Sequence, residues 1–87
     1  MPSGDPFTFT ITDVARFLGK SAVTLRGWER QGLISFPRHG GEDRKFTIDE
    51  VRSAAMIARQ LGRVTQERLE LIGAALTLLR IIEMENQ

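Results

Sequence analysis

Apolar residues recur every three or four positions in four segments of this chain, which is the period of an α-helix rather than of a β-strand. Side chains that start or stop helices stand at the borders of these segments. Ser21 can accept a backbone N–H two or three residues on, and Gly32 can adopt the left-handed conformation that ends a helix. The pattern predicts a mainly α fold with helices over residues 11–18, between 21 and 32, over 48–61 and from 65 to about 84.

Two of the predicted helices begin with nearly the same sequence. Residues 9–14 read Phe-Thr-Ile-Thr-Asp-Val, and residues 46–51 read Phe-Thr-Ile-Asp-Glu-Val. In each copy a threonine caps the helix, the acidic residue three positions later accepts from the backbone of that threonine, and phenylalanine packs on valine across the cap. We interpret the echo as repeated capping chemistry and not as a repeat of the whole domain.

The first two predicted helices are joined by Gly19 and Lys20, and two short helices linked by a glycine turn are typical of a helix-turn-helix motif. In that motif the second helix enters the major groove of DNA. Alone the signal is weak, because many small helical proteins contain such a pair for packing reasons only.

A β-hairpin is predicted after the second helix. Residues 33–36 form a short apolar strand, Pro37 and the turn-rich residues 38–43 follow, and residues 44–46 return as the second strand. A basic hairpin in this place would be a wing that touches phosphates or the minor groove. Its basic side chains are Arg38, His39, Arg44 and Lys45. For His39, an ordinary exposed loop position outweighs any ligand or catalytic role.

Composition narrows the possible chemistry. A chain of 87 residues has room for one small domain. It contains no cysteine and a single histidine, which excludes disulfides, thiolate metal sites and cysteine-based redox sensing. The lack of a phosphate-binding glycine loop and of an acid–base pair argues against an enzyme, so we expect no catalytic residues, metal or cofactor. Without a signal peptide or an apolar run of membrane length, the chain fits a soluble cytoplasmic protein.

Charge is unevenly distributed although the whole chain carries only +1. Between residues 12 and 45 seven cations stand against four anions, a net charge of +3, whereas from residue 69 onward one cation stands against three anions, a net charge of −2. The first half is therefore suited to a polyanion such as DNA. A solvated charged surface without a partner is the alternative.

The last predicted helix carries two apolar stripes, although one is enough to pack a helix on a small domain. The first stripe comprises Leu69, Ile72, Leu76 and Leu79, and the second comprises Leu71, Ala75, Leu78 and Ile82. Because an exposed apolar patch normally marks an interface, we expect the second stripe to form a homodimer. Alternatively, the N-terminal segment around Phe7 and Phe9 covers it.

The order of these parts resembles the MerR-like winged helix-turn-helix family over about residues 9–72. The likeness is carried by residues 9–15, 25–34 and 44–47 and by Leu61-Gly62. Most specific is the run Leu-Arg-x-aromatic-Glu-x-x-Gly-Leu at residues 25–33. The resemblance implies a second helix in the major groove, a β-hairpin wing on the DNA backbone, and a long C-terminal helix that pairs with a partner helix in antiparallel fashion.

Carried over by position, the resemblance places base and phosphate contacts on the second helix and on the wing arginine. Trp28 matches an aromatic residue that is part core and part DNA-backbone contact. Gly27 departs from the family pattern by replacing a common aromatic, and Val23 stands where a basic residue is frequent. With the neighbouring cations, the predicted DNA-binding set is Lys20, Ser21, Ala22, Thr24, Arg26, Trp28, Arg30, Arg38, His39, Arg44 and Lys45.

We therefore expect a sequence-specific double-stranded DNA-binding protein, a small MerR-like transcription regulator without an effector domain, with RNA polymerase as a further partner. A leader over 1–6, a DNA-binding domain over 7–64 and a dimerisation helix over 65–87 would divide the chain. An excisionase of a phage or mobile element, acting with an integrase, is one alternative. A protein–protein interaction module is the alternative of another class, because the apolar fourth helix would serve it equally well.

Overall fold

A computed structural model describes residues 7–35 and 46–85 of the chain. Within these ranges it contains four helices: α1 over Ile11–Leu18, α2 over Ala22–Arg30, α3 over Ile48–Gln60 and α4 over Gln66–Glu85. Each helix that the hydrophobic pattern predicts is present, with ends that differ by one or two residues. The mainly α fold class is confirmed.

Both predicted helix starts have the capping geometry that their sequence indicates. At α1, Thr10 Oγ1 accepts from the Asp13 N–H at 3.2 Å, and the Asp13 carboxylate accepts from the Thr10 N–H at 3.0 Å. At α3, Thr47 and Glu50 make the same reciprocal pair at 3.2 and 2.8 Å. Two otherwise unpaired backbone donors are satisfied at each start, which stabilises short helices that would be marginal alone.

The two repeated starts lie side by side in space. Phe9 and Phe46, each the residue before a capping threonine, form an isolated antiparallel bridge. The Phe9 N–H donates to the Phe46 carbonyl at 2.8 Å, and the Phe46 N–H donates to the Phe9 carbonyl at 2.7 Å. The pairing therefore joins the beginning of α1 to the beginning of α3.

The predicted β-hairpin wing is not supported. We expected Phe46 to end a strand that returns alongside residues 33–36, but residues 33–35 form no strand, and Phe46 pairs with Phe9 instead. The Phe46 side chain is 1% exposed, so its burial in the core and its bridge to Phe9 determine its place. Residues 36–45, which include the predicted hairpin tip, lie outside the described residues.

The helix stops depend on glycine at positions that need a positive φ. Gly19 has φ 72° after α1, and Gly32 has φ 78° after α2. At the second stop the Gly32 N–H donates to the Glu29 carbonyl at 3.1 Å and the Leu33 N–H to the Trp28 carbonyl at 3.0 Å. These two hydrogen bonds close the last turn of α2 in a Schellman motif.

All four helices contribute to one core. Helix α4 packs along α3 and also contacts α1, while α1 contacts α2. No helix within the described residues is long and apolar enough to cross a membrane. The buried apolar side chains come from α1 (Val14, Ala15, Leu18), α2 (Leu25, Trp28), α3 (Ile48, Val51, Ala54, Ala55, Ala58), α4 (Ile72, Leu76) and the connections (Ile34, Phe46, Val64).

Polar contacts attach the C-terminal end of α4 to the rest of the molecule. The Glu83 carboxylate is buried and accepts from the Phe7 N–H at 2.7 Å. One turn earlier, the Arg80 guanidinium donates to the Asp49 carboxylate at 2.6 Å. Thus α4 is held near its end by the first described residue and by the first turn of α3.

Candidate nucleic-acid interface

Helix α2 begins with an exposed cluster of hydroxyl groups. Ser21 Oγ accepts from the Thr24 N–H at 3.1 Å, and the two side-chain hydroxyls lie 3.0 Å apart. This confirms Ser21 as the N-cap. Because the first backbone N–H groups and the helix dipole make an N-terminus attractive to anions, this end of α2 is chemically suited to a phosphate.

The two faces of α2 have opposite character. Leu25 is fully buried and Trp28 is 5% exposed, so one face is fixed in the core. The opposite face, which we call the outer face, consists of Val23, Arg26, Gly27 and Arg30, spaced three or four residues apart. Two guanidinium groups and one apolar side chain are thus presented to solvent by a helix that the core holds in place.

Arg68 of α4 binds the C-terminal end of α1, the first helix of the helix-turn-helix. Its Nε donates to the Phe17 carbonyl at 2.8 Å and its Nη2 to the Arg16 carbonyl at 2.7 Å, at the C-terminal end of α1. The guanidinium also lies about 3.5 Å from the position that a Cβ on Gly19 would occupy. A cation at this end complements the α1 dipole, and it supplies a donor to the Phe17 carbonyl and a second donor to the Arg16 carbonyl, which also accepts from the Gly19 N–H.

Sequence reasoning missed Arg68, although its side chain connects α4 to the helix-turn-helix. No signal along the chain could have shown this role, because the residues concerned are more than fifty positions apart. In sequence, Arg68 resembles any surface arginine in the first turns of a helix. Its role depends on the packing of α4 against α1.

The predicted contact residues around the first two helices lie on α2 and in the turn before it. Lys20, Ser21, Arg26 and Arg30 are exposed, and Ala22 and Thr24 are half-buried. Trp28 lies in the core, with the Arg63 guanidinium carbon 6.0 Å from its ring centroid. Its DNA contact stays a prediction, as do those of Arg38, His39, Arg44 and Lys45, which lie outside the described residues.

The second predicted surface, on α4, is divided as the two stripes indicate. In the first stripe Ile72 and Leu76 are buried, and Leu69 and Leu79 pack on the core. The second stripe is turned outward: Leu71 is 66% exposed, Leu78 59% and Ile82 37%, and Ala75 is also exposed.

Phe7 and Phe9 pack against the core and leave the second stripe accessible. An open groove of about 610 Å³ between α1 and α4 adjoins this stripe. The rings of Phe9 and Phe17 meet edge to face at 5.5 Å in its wall, which Leu71 and Ala75 also line. The outward apolar surface therefore extends from α4 to α1.

Nothing in the described part of the chain resembles a metal centre. No three His, Cys, Asp or Glu side chains within these residues are close enough to share an ion. The polar side chains of α2 and its N-cap include the hydroxyls of Ser21 and Thr24 and the exposed guanidiniums of Arg26 and Arg30. Hydrogen-bond donors of this kind, on an exposed helix face, are the groups that contact phosphates and base edges in DNA.

Comparison with known proteins places this arrangement in a family. Residues 9–66 match the family described as MerR HTH family regulatory protein. A protein of Streptomyces coelicolor that carries the name heat shock protein HspR is 32% identical over 84 residues, which cover 95% of this chain and 50% of that protein. The chain thus spans about half the length of this curated relative.

No solved structure matches the chain significantly. The family match covers α1, α2, α3, the connection after α3 and the first residue of α4, so it includes the outer face and the part of the core that α1 to α3 supply. The resemblance drawn from the sequence is confirmed, and the chain belongs to the MerR family of helix-turn-helix regulatory proteins.

Proposed function

We propose that this protein is a sequence-specific transcription regulator that binds double-stranded DNA through α2 and acts in the cytoplasm. The observation that carries the proposal is the two-faced character of α2. Leu25 and Trp28 anchor one side in the core while Arg26 and Arg30 project from the other. A helix fixed in this way enters a major groove without first having to fold or reorient.

Electrostatics supports the same use of this surface. Lys20, just before α2, and Arg26 and Arg30 on α2 are all exposed. Each cation that neutralises a phosphate releases a counterion, so binding is expected to weaken steeply as salt is raised. The chain from residue 69 onward carries a net negative charge, so this part of α4 is less suited to contact phosphates.

We further propose that the second stripe of α4 pairs with its equivalent in a second copy. Leu71, Ala75, Leu78 and Ile82 offer an apolar strip of about three turns, and the groove beside α1 enlarges it. An antiparallel pair of such helices buries both strips around a two-fold axis. Two recognition helices on one DNA double the phosphate contacts, which offsets the modest charge of each copy.

The comparisons favour a regulator over the alternatives. The family is described as regulatory, and neither it nor the relative carries the name of an excisionase, which leaves that alternative without support. A protein-only interaction module would use the exposed stripe of α4 and would leave the outer face of α2 without a role. The RNA polymerase contact expected of a regulator stays a prediction.

Selection of duplex fragments from a random pool by the purified chain tests the proposal. We expect enrichment of a defined sequence. Because the relative is named a heat shock protein, DNA fragments from upstream of heat-shock genes should be added to the pool. Arg26→Ala should weaken binding and lower the slope of log K against log salt by about one unit. Arg44→Ala should do the same if the segment after α2 grips the DNA backbone.

A matched arginine on another surface provides the control. Arg80 lies on α4 and pairs with Asp49, away from the outer face of α2. Arg80→Ala should therefore leave the salt slope unchanged. Failure of the wild-type chain to bind duplex DNA even at low salt would refute the regulator and favour the protein-only module.

A further inference from the structure

One exposed apolar side chain stands among the cations of α2. Val23 is 70% exposed, more than any other large apolar side chain in the described residues. It is the second residue of α2, in the turn just before Arg26, and it lies on the outer face. The buried residues Leu25 and Trp28 lie on the other side of the helix, so Val23 makes no contribution to the core.

Local preference does not explain a valine at this position. A β-branched residue on an exposed helix position is less favourable than alanine, because its side chain loses rotational freedom against the preceding turn. Burial would offset that cost, but Val23 is mostly in solvent. The isopropyl group is therefore available to an apolar group on a binding partner.

DNA offers such a group at the place where this end of α2 would lie. The N-terminal residues of a recognition helix are those that reach base edges. In the major groove thymine alone among the four bases presents a methyl group, at C5, and small apolar side chains recognise it by contact. The hydroxyl and guanidinium groups that surround Val23 would meanwhile bind phosphates or base acceptors.

A glycine one turn further along the outer face lets the α2 backbone approach DNA closely. Gly27 lies one turn after Val23 and has no side chain, and a Cβ built there would meet no neighbour nearer than Arg30 Nη2 at 3.8 Å. The α2 backbone can therefore come closer to a groove floor here than at a residue with a long side chain. A short side chain such as that of Val23 then reaches the bases.

We propose that Val23 is a specificity-determining residue that recognises the C5-methyl group of one thymine in the target site. The proposal rests on the proposed DNA-binding function and adds to it the identity of one base. Val23 supplies shape and apolar contact, while the cations on the same face supply affinity that does not depend on sequence.

Replacement of thymine by uracil tests this directly, because uracil lacks only the methyl group and keeps the same hydrogen-bonding edge. In the site selected from the random pool, each thymine is replaced in turn. Wild-type affinity should fall about three- to fivefold at one position, the effect expected for losing one buried methyl contact. Val23→Ala, which keeps only Cβ, should bind the thymine site more weakly than wild type and should show a smaller uracil penalty at that position.

Met56→Ala is the matched control, because Met56 is an apolar side chain on α3 that is 51% exposed. This variant should keep the full uracil penalty. The inference is wrong if the chain selects a site that contains no thymine. It is also wrong if every uracil penalty is the same in Val23→Ala as in wild type. In both cases the DNA-binding function stands. If the chain binds no DNA, both are refuted.

Discussion

Arg68 should be the side chain that most strongly couples α4 to the helix-turn-helix. Arg68→Met keeps most of the aliphatic stem and removes the hydrogen bonds to the carbonyls of Phe17 and Arg16, which measure 2.8 and 2.7 Å. A hydrogen bond from a charged donor contributes about 1.5–3 kcal/mol when the partners are shielded from water. The Arg16 carbonyl is exposed and also accepts from the Gly19 N–H at 3.1 Å, so its share is smaller.

We therefore expect Arg68→Met to lower the free energy of unfolding by about 2 kcal/mol. For a domain of this size that corresponds to a melting temperature roughly 10 °C lower. Arg68→Lys, which can satisfy only one of the two carbonyls, should fall between the wild type and the methionine variant. Urea unfolding followed by far-ultraviolet circular dichroism measures all three.

Arg59→Met is the control, because Arg59 is an exposed arginine whose Nε donates to the exposed Gln66 side chain at 3.2 Å. It should change the free energy of unfolding by less than about 0.5 kcal/mol. DNA binding offers a second readout: Arg68→Met should weaken affinity without changing the salt slope, since the Arg68 guanidinium is bound to the carbonyls of α1. A stability for Arg68→Met equal to that of the control would refute the coupling.

Three further predictions concern the core, the dimer and the glycines within and just after α2. Trp28→Ala should cost about 3–5 kcal/mol, a large share of the stability of a small domain, and a cooperative melt within a few degrees of wild type would show that the tryptophan is peripheral. Leu78→Glu combined with Ile82→Glu should give a folded monomer that binds DNA more weakly; light scattering showing a monomeric wild type at tens of micromolar would contradict the dimer. Gly27→Ala should raise the free energy of unfolding by about 0.5–1 kcal/mol, whereas Gly32→Ala should lower it because Gly32 has φ 78°; equal shifts in the two denaturation curves would contradict this contrast.

Much of the local structure could be predicted because its causes are close together in the chain. The capping boxes at Thr10 and Thr47 join residues three positions apart, and the stop at Gly32 depends on one residue's ability to adopt a positive φ. Helical period predicted two apolar stripes on α4, and packing against the core decided which of them is buried. The family resemblance followed from the same short-range pattern around α2.

The error at the hairpin had a long-range cause. Residues 33–36 and 44–46 have the composition of paired strands, and proximity in sequence favoured pairing them. Phe46 instead pairs with Phe9, a residue thirty-seven positions away, because both precede helix starts that the core brings together. Sequence composition alone cannot choose between two partners of similar β-propensity, since that choice depends on which of them the packed helices place alongside.

For the candidate site, the sequence by itself predicted which residues meet DNA, and the tertiary structure decided which of those on α2 are exposed. Val23, Leu25 and Trp28 are all apolar and could each anchor α2, but only Leu25 and Trp28 are buried, and Val23 is 70% exposed. The support from Arg68, the attachment of Phe7 to Glu83 and the exposure of Val23 required the folded chain. Short-range chemistry fixes helices and their faces, whereas contacts between distant segments exist only after packing has brought those segments together.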